Sequence, residues 1–388
     1  MIPISFKIMR KGILQSFKNP GIVRILLKGY LLDKKRIEGI ITDNLKTGPE
    51  NVSIGVSACC NYQCLFCRFH SKIAGDIKNN KSFRGTFMDL KTYFKILDCL
   101  RDTISIYLTG YGEPLLNPDI LKMVSYAKER GILTCITTNG SLLTPELIKK
   151  LANAGLNGIS ISLNAGTNET YMKLHPTAKP DTFGKIKENI KLLSKYNIIV
   201  RVSFVLNKMN CTEVEEIIKT VINLNVDLVD FLPVRTVKGL EYLEINKWEQ
   251  IKLNKRLAQN SRRLKKKNIS NNINMYLKYY SLNTKNILME NKCYFPYISC
   301  YILENGIVYP CCNCNYNLGN VNNVSFEKIW FSKQYNLFRS KILNKNRLGN
   351  LAIKCGCDKC ILVKMVIKTS ARVQHKINKK NAKKFKQV

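Results

Sequence analysis

Acidic residues are scarce in this chain. Its 388 residues hold 27 Asp and Glu against 63 Lys and Arg, a net charge of +36. A field of that sign disfavours cationic partners and suits anionic ones: nucleic acid, an acidic membrane surface, phosphorylated substrates or an acidic peptide. The plainer reading is a lysine-rich solvated surface. Long apolar runs are also missing, since no stretch approaches the roughly twenty residues of a membrane span. The apolar segment 22–32 is broken by Arg24 and Lys28, so it makes no cleavable signal. That absence argues against a secreted disulfide framework, and the 15 cysteines, an odd number, are expected as thiols in a reducing cytoplasm. A chain of this length with 45% hydrophobic residues is expected to fold as a large catalytic domain with a smaller appendage.

Residues 1–50 mix Lys and Arg with apolar residues on both sides of Pro20-Gly21, the pattern of two short amphipathic helices. Such helices lie on an anionic membrane surface or dock on their own chain, and docking is the reading favoured here. From Val52 the pattern becomes strands alternating with helices. Strands are expected over 51–58, 105–109, 133–138, 158–164, 198–206 and 227–234, with helices over 89–100 and 182–196. Asn117-Pro118 reads as a helix N-cap with proline at the first helical position, Thr144-Pro145 opens another helix, and Thr212 with Glu215 forms a capping box for a helix reaching Leu224. Six strand–helix units over 51–235 imply a parallel α/β sheet with its working end at the strands' C-termini. Residues 236–290 lose the rhythm and read as a basic helical linker. Residues 291–388 form a small cysteine-rich α+β domain with a basic tail.

The cysteines fall mostly in two groups. Cys60, Cys64 and Cys67 stand at gaps of three and two residues directly after the first strand. Thiolates are soft ligands for zinc, copper(I) or iron–sulfur clusters. A structural zinc wants four protein ligands, whereas three thiolates on a [4Fe–4S] cube leave one iron open. Cys59 is hard to aim at the same centre as its neighbour Cys60. Where the second strand meets its loop stands Gly110-Tyr111-Gly112-Glu113-Pro114, with glycines that admit close backbone approach and a carboxylate able to accept from an ammonium. Arg201 and Ser203 alternate with Val202 and Phe204, so both can face one side of the fifth strand. In the second group, twelve residues separate Cys293 from Gly306 and four separate Gly306 from Cys311, and the group closes with Cys355, Cys357 and Cys360. Cys-x-x-Cys pairs at 311/314 and 357/360 also fit a zinc ribbon. His70 and His175 read as surface or loop histidines rather than ligands.

The cysteine loop resembles the signature of the radical S-adenosylmethionine (radical SAM) superfamily, and the motifs that follow it recur in the same order. Gly110, Gly112, Glu113 and Pro114 resemble its Gly-Gly-Glu-Pro motif, with Tyr111 between the glycines. Asn139 lies in a Thr-Asn-Gly element like the family's, and Ser162 lies on a similar fourth strand where Asn164 stands in place of a common Asp. The C-terminal spacing, with its Leu-Gly-Asn and Ile-Trp elements, resembles the SPASM domain of peptide-modifying radical SAM enzymes. The resemblance implies a partial (β/α)6 TIM-like barrel. It implies S-adenosylmethionine on a [4Fe–4S] cluster held by Cys60, Cys64 and Cys67, and an auxiliary [4Fe–4S] cluster on Cys293, Cys311, Cys357 and Cys360, with Cys312, Cys314 and Cys355 as substitutes or bystanders. Phe66 would lie near the adenine. Gly110, Gly112 and Glu113 would meet the cofactor's amino group, and Pro114, Asn139, Ser162, Asn164, Arg201 and Ser203 would complete its site.

The resemblance further implies reductive cleavage of S-adenosylmethionine and hydrogen abstraction from a peptide, a protein or a small aminated sugar or alcohol, with flavodoxin or ferredoxin as electron donor. Two other readings remain: an RNA-modifying radical SAM methylase, favoured by the charge, and a zinc-dependent nucleic-acid-binding protein.

Overall fold

The computed structural model describes residues 20–73, 86–279, 292–344, 355, 357, 360 and 362–385. The helix expected before Pro20, the end of the linker and the C-terminal end of the tail lie outside them. Pro20 opens a single helix, α1 (Pro20–Ile41). The chain then runs β1 (Asn51–Gly55), α2 (Leu90–Asp98), β2 (Ser105–Thr109), α3 (Ile120–Glu129), β3 (Leu133–Thr138), α4 (Pro145–Ala154), β4 (Gly158–Ser162), α5 (Asn168–Leu174), α6 (Thr182–Leu193), β5 (Ile199–Leu206), α7 (Val214–Asn223) and β6 (Leu228–Pro233). Basic α8 (Lys247–Lys266) leads to β7 (Ser270–Asn271) and α9 (Ile273–Tyr279). The C-terminal part holds α10 (Phe295–Ile298), β8 (Ser299–Ile302), β9 (Val308–Tyr309), α11 (Phe326–Trp330), α12 (Lys333–Leu343) and α13 (Val363–Phe385).

These strands form one nine-stranded sheet in the order β7-β6-β5-β4-β3-β2-β1-β8-β9. All neighbours are parallel except β8 and β9. The sheet is an open partial barrel whose edge strands β7 and β9 have two residues each, too short to template further pairing. Strand alternation sorts its two faces. Val52, Ile54, Ile106, Leu108, Ile159, Ile161, Val202, Phe204 and Phe231 join the helices in one continuous core. The alternate positions face the lumen, and at its N-terminal end Ile104, Leu133, Ile199 and Leu228 pack against Ile25 and Leu32 of α1. Helix α1 therefore docks on its own chain and closes that end of the barrel. Its Arg36, 1% exposed, donates to the Gly48 carbonyl at 3.1 Å and pairs with Glu50. No helix among the described residues is long and apolar enough to cross a membrane.

Two expectations give way to tertiary contacts, one of a local cap and one of a separate C-terminal part. Thr212 makes no capping box. Helix α7 starts from Glu213 without a side-chain cap, because Glu213 accepts instead from the Gly166 N–H and the hydroxyls of Thr167 and Thr170, and Glu215 from Asn260 and Arg263. Asn117 does act as the cap expected of it, its Oδ1 accepting from the Asp119 N–H at 2.9 Å just after Pro118. Its buried amide donates to the carbonyls of Val56 and Met88, tying the end of β1 to the start of the second unit. The C-terminal part does not stand apart either, since β8 pairs with β1 along Asn51–Ile54. Indole Nε1 of Trp330 also donates to the Thr47 carbonyl at 3.0 Å. The sequence does not announce α5, whose seven residues are too few for a periodicity to show.

Gly110 and Gly112 are demanded by space. A Cβ on Gly110 would stand 2.1 Å from the Ser57 carbonyl oxygen, and one on Gly112 would stand 1.9 Å from that of Cys59. Exposed Gly184 in α6 has nothing within 4 Å of such an atom. Gly112→Ala is therefore expected to cost about 3 kcal/mol or more in thermal unfolding. Gly184→Ala should be neutral or stabilising by about 0.5 kcal/mol. Equal midpoints for the two variants would contradict this account.

Candidate active site

β1 ends at Gly55, and the cysteine loop begins four residues later. Its base is stitched to the loop after β2: the Gly112 N–H donates to the Ser57 carbonyl at 3.0 Å and the Glu113 N–H to the Cys59 carbonyl at 2.6 Å. Within the loop, the Tyr62 N–H points at Cys60 Sγ (3.4 Å), and the N–H groups of Phe69 and His70 point at Cys67 Sγ (3.4 and 3.3 Å). Such donors steady a thiolate ligand and tune what it binds. Burial pushes the Cys60 thiol up to about 11 and raises those of Cys64 and Cys67, and Cys60 and Cys64 each feel the charge of Cys67. Three coupled thiols that stay protonated at neutral pH release protons when a metal centre takes them.

Beneath the loop lies an aromatic floor. The Tyr62 and Tyr171 hydroxyls meet at 3.2 Å, His175 stacks on Tyr171 with centroids 4.3 Å apart, and Phe66 meets His175 edge-on at 5.8 Å. His175 is thus not at the surface. It is 1% exposed, and its Nδ1 lies 2.9 Å from the Tyr171 carbonyl.

Glu113 is spent largely on the protein. Its carboxylate accepts from the Thr138 hydroxyl (2.6 Å), the Asn139 N–H (2.7 Å) and the Leu115 N–H (3.1 Å), which pins the end of β3 to the end of β2. Burial raises its pKa against the opposing pull of these donors. Pro114 is buried at the start of a 3-10 turn, Pro114–Leu116. Asn139 Nδ2 donates to Asn61 Oδ1 at 2.9 Å, and Asn61 Nδ2 donates to the Ser141 hydroxyl at 2.9 Å, so the third strand's loop grips the cysteine loop directly. Sequence reasoning missed Asn61 and Ser141, which carry no motif of their own.

On the fourth and fifth strands, the Ser162 and Ser203 hydroxyls lie 3.5 Å apart on the lumen face. Asn164 adopts a left-handed backbone (φ 60°), and its Oδ1 accepts from the Val205 N–H at 3.0 Å. Asparagine tolerates that conformation better than most residues, which gives the departure from Asp a structural reason. Arg201 faces inward, but its Nε lies 3.2 Å from Asp230 Oδ2, and both side chains are almost fully buried. A lone acidic residue inside the apolar run of β6 is the signal that would have named Asp230 as its partner.

The second cysteine group lines one small cavity of about 30 Å³. Cys293, Cys311, Cys314, Cys355, Cys357 and Cys360 face it, among Phe295, Phe338, Ile342 and Leu362. Contrary to the expectation of thiols throughout, Cys314 and Cys355 form a disulfide, because the fold brings both buried sulfurs to the same wall. Four thiols remain on the wall, those of Cys293, Cys311, Cys357 and Cys360, while Cys312 is exposed. Burial and the neighbouring thiols push Cys293 and Cys311 far up. Among the described residues no three His, Cys, Asp or Glu side chains converge as tightly as a single ion requires. A cubane takes one thiolate per iron corner, and the three thiols of the first loop and the four on this wall match that count with and without an open iron. Arg235, just after β6, donates to Asn313 at 2.7 Å, so the cysteine segment reaches across to the barrel's last long strand.

Burial holds the His175 pKa down to about 4 from 6.5. The unfolded chain takes up this proton below pH 6.5 and the folded chain resists it, so the stability is fully present above pH 6.5 and is lost as pH falls toward 4. The shift corresponds to roughly 3 kcal/mol. His175→Phe is expected to flatten the fall in melting temperature between pH 6.5 and 4 relative to the wild type, and parallel curves would contradict the assignment.

Comparison with known proteins agrees with this geometry. Residues 54–221 match the radical SAM superfamily, and residues 293–361 match the SPASM iron–sulfur cluster-binding domain. An AdoMet-dependent heme synthase of Methanosarcina barkeri is 24% identical over 337 residues, covering 81% of this chain and 92% of that protein. A tungsten-containing aldehyde ferredoxin oxidoreductase cofactor-modifying protein of Pyrococcus furiosus is 26% identical over 338 residues, covering 80% and 88%. Among solved structures, Streptococcus suis SuiB bound to S-adenosylmethionine shares the fold with a TM-score of 0.60 at 20% identity, covering 79% of this chain and 72% of that one. The anSMEcpe enzyme with bound AdoMet does so with a TM-score of 0.60 at 18% identity, covering 76% and 84%. The three-thiol loop falls inside the first family match and the thiol-lined cavity inside the second; the chain belongs to the radical SAM superfamily and is an enzyme with a C-terminal SPASM domain, using S-adenosylmethionine and [4Fe–4S] clusters at a radical SAM site and an auxiliary site.

Proposed function

We propose that this enzyme is a maturase that abstracts a hydrogen atom from a peptide or protein substrate, with Cys60, Cys64 and Cys67 holding the catalytic cluster and Cys293, Cys311, Cys357 and Cys360 the auxiliary one. The observation that carries this reading is the pairing of β8 with β1, which sets the cysteine loop after β1 beside the cysteine-rich C-terminal part in a single sheet. When bound, the cluster and S-adenosylmethionine supply hydrogen-abstraction chemistry by reductive cleavage of a carbon–sulfur bond.

The chain's own part is placement. Gly110 and Gly112 let the second loop lie against the first, and the three donors on Glu113 keep Asn139 against Asn61, so the rim around the cysteine loop is rigid. Ser162 and Ser203 present hydroxyls to the lumen for a ligand's hydroxyl or carboxylate groups. Phe66 offers a ring edge beside the loop. Arg201, bound to Asp230, shapes the lumen more than it offers a free cation. Asn164 holds β4 to β5. The division into a helical segment 1–50, a barrel 51–235, a linker 236–290 and a cluster domain 291–388 belongs to the same reading, as does electron supply from flavodoxin or ferredoxin. Support for a peptide substrate comes from two relatives in fold, SuiB solved with its precursor peptide SuiA and anSMEcpe solved with the Cp18Cys peptide.

Anaerobically reconstituted enzyme given a reductant is expected to form 5′-deoxyadenosine, and joint replacement of Cys60, Cys64 and Cys67 by Ala should abolish it. Persistent formation would end the assignment. Cys357→Ala with Cys360→Ala should lower iron by about four atoms per chain, one cluster, and unchanged iron would contradict those ligands.

A further inference from the structure

Tyr111 is the residue by which the glycine motif departs from its family, and it makes an aromatic contact between the two cysteine-bearing parts. Its ring stacks on Phe69 of the cysteine loop with centroids 4.0 Å apart and meets Tyr301 of β8 edge-on at 5.9 Å. Tyr301 stands directly across the ladder from Tyr309 of β9, so these two side chains share a face. Just beyond β8, in the turn to β9, lies Glu304. Its backbone N–H sits beside Gly55 at the C-terminal end of β1, where a Cβ would come within 3.3 Å of both that nitrogen and the Tyr301 hydroxyl.

Glu304 is 4% exposed, and its carboxylate oxygens have no partner beyond the pull of its own backbone N–H. The chain carries 63 Lys and Arg, yet among the described residues none forms an ion pair with it. Its charge is felt by the hydroxyls of Tyr111, Tyr301 and Tyr309, and Tyr111 also feels the Arg68 guanidinium. A buried carboxylate without a donor from another residue costs on the order of a few kcal/mol, and proteins keep such a group where something else completes it. Aromatic faces around a carboxylate attract an ammonium by two routes, ion pairing and cation–π attraction. The Glu304 backbone lies at the C-terminal end of β1, from which the cysteine loop continues. Burial raises the Glu304 pKa against the pull of its own backbone N–H.

We propose that Glu304, with Tyr111, Tyr301 and Tyr309, forms a subsite that anchors a primary ammonium group of the substrate beside the catalytic cysteine loop. This deepens the maturase reading and rests on it for the word substrate, but binding is testable without it. The probe is n-butylammonium chloride, titrated calorimetrically into the full-length, anaerobically reconstituted enzyme, with neutral n-pentanol as the control. Wild-type enzyme is expected to bind n-butylammonium at least tenfold more tightly than Glu304→Gln, and n-pentanol weakly in both. Tyr309→Leu should weaken n-butylammonium several-fold while leaving the carboxylate in place, and it serves as the readout if Glu304→Gln loses iron or fails to fold. Equal affinity in wild type and variants, preference for n-pentanol, or no wild-type binding would overturn the proposal. The absence of 5′-deoxyadenosine from wild-type enzyme would instead sink the maturase reading, whatever the calorimetry shows.

Discussion

Two backbone hydrogen bonds, from Gly112 to Ser57 and from Glu113 to Cys59, hold the loop after β2 against the base of the cysteine loop. They form only because Gly110 and Gly112 carry no side chain where the Ser57 and Cys59 carbonyls approach. The remainder of the site hangs from that contact. It sets where Glu113 can reach, and Glu113 in turn holds Thr138 and Asn139 at the end of β3. Asn139 then grips Asn61 inside the cysteine loop and closes a ring of three loops that no single segment could stiffen. A rigid rim of this kind lets a fold position a reactive cofactor without reorganising during the reaction.

The parallel pairing of β8 with β1 couples the two cysteine-bearing parts. An appendage tethered by a flexible linker would leave the distance between its metal site and the barrel undefined. Here the strand register defines it, and the indole of Trp330 on the Thr47 carbonyl and the reach of Arg235 to Asn313 add further ties. Tyr111 adds an aromatic contact at the seam. Helix α1 works at the opposite end, where its apolar face covers the first residues of β3, β5 and β6 and keeps solvent from the N-terminal end of the lumen. The polar lumen positions above it, with the buried Arg201–Asp230 pair, give the barrel an interior suited to polar groups.

The net charge of +36 finds no single structural expression among these elements. Basic α8 lays Leu253, Leu257 and Leu264 against the core and turns its lysines and arginines outward. That is the behaviour of a solvated amphipathic helix.

Alternation and spacing carried a large part of the reading. Period-two strands with near-continuous apolar faces and intervening helices are local properties, so β2 and β3 could be read to the residue, and the cysteine and glycine motifs could be placed at strand ends. The two thiol groups were equally legible, because ligand spacing is written along the chain. What the sequence could not show depends on partners distant in the chain. That β8 would join the barrel's sheet, that Arg201 would meet Asp230, that Asn117 would tie β1 to the second unit, that Glu213 would serve tertiary contacts, and that Cys314 would find Cys355 all follow from packing between segments 29 to 248 residues apart. The isolation of Glu304 among tyrosines belongs to the same class: a residue's lack of a partner is a property of everything that surrounds it, and only the folded arrangement decides that.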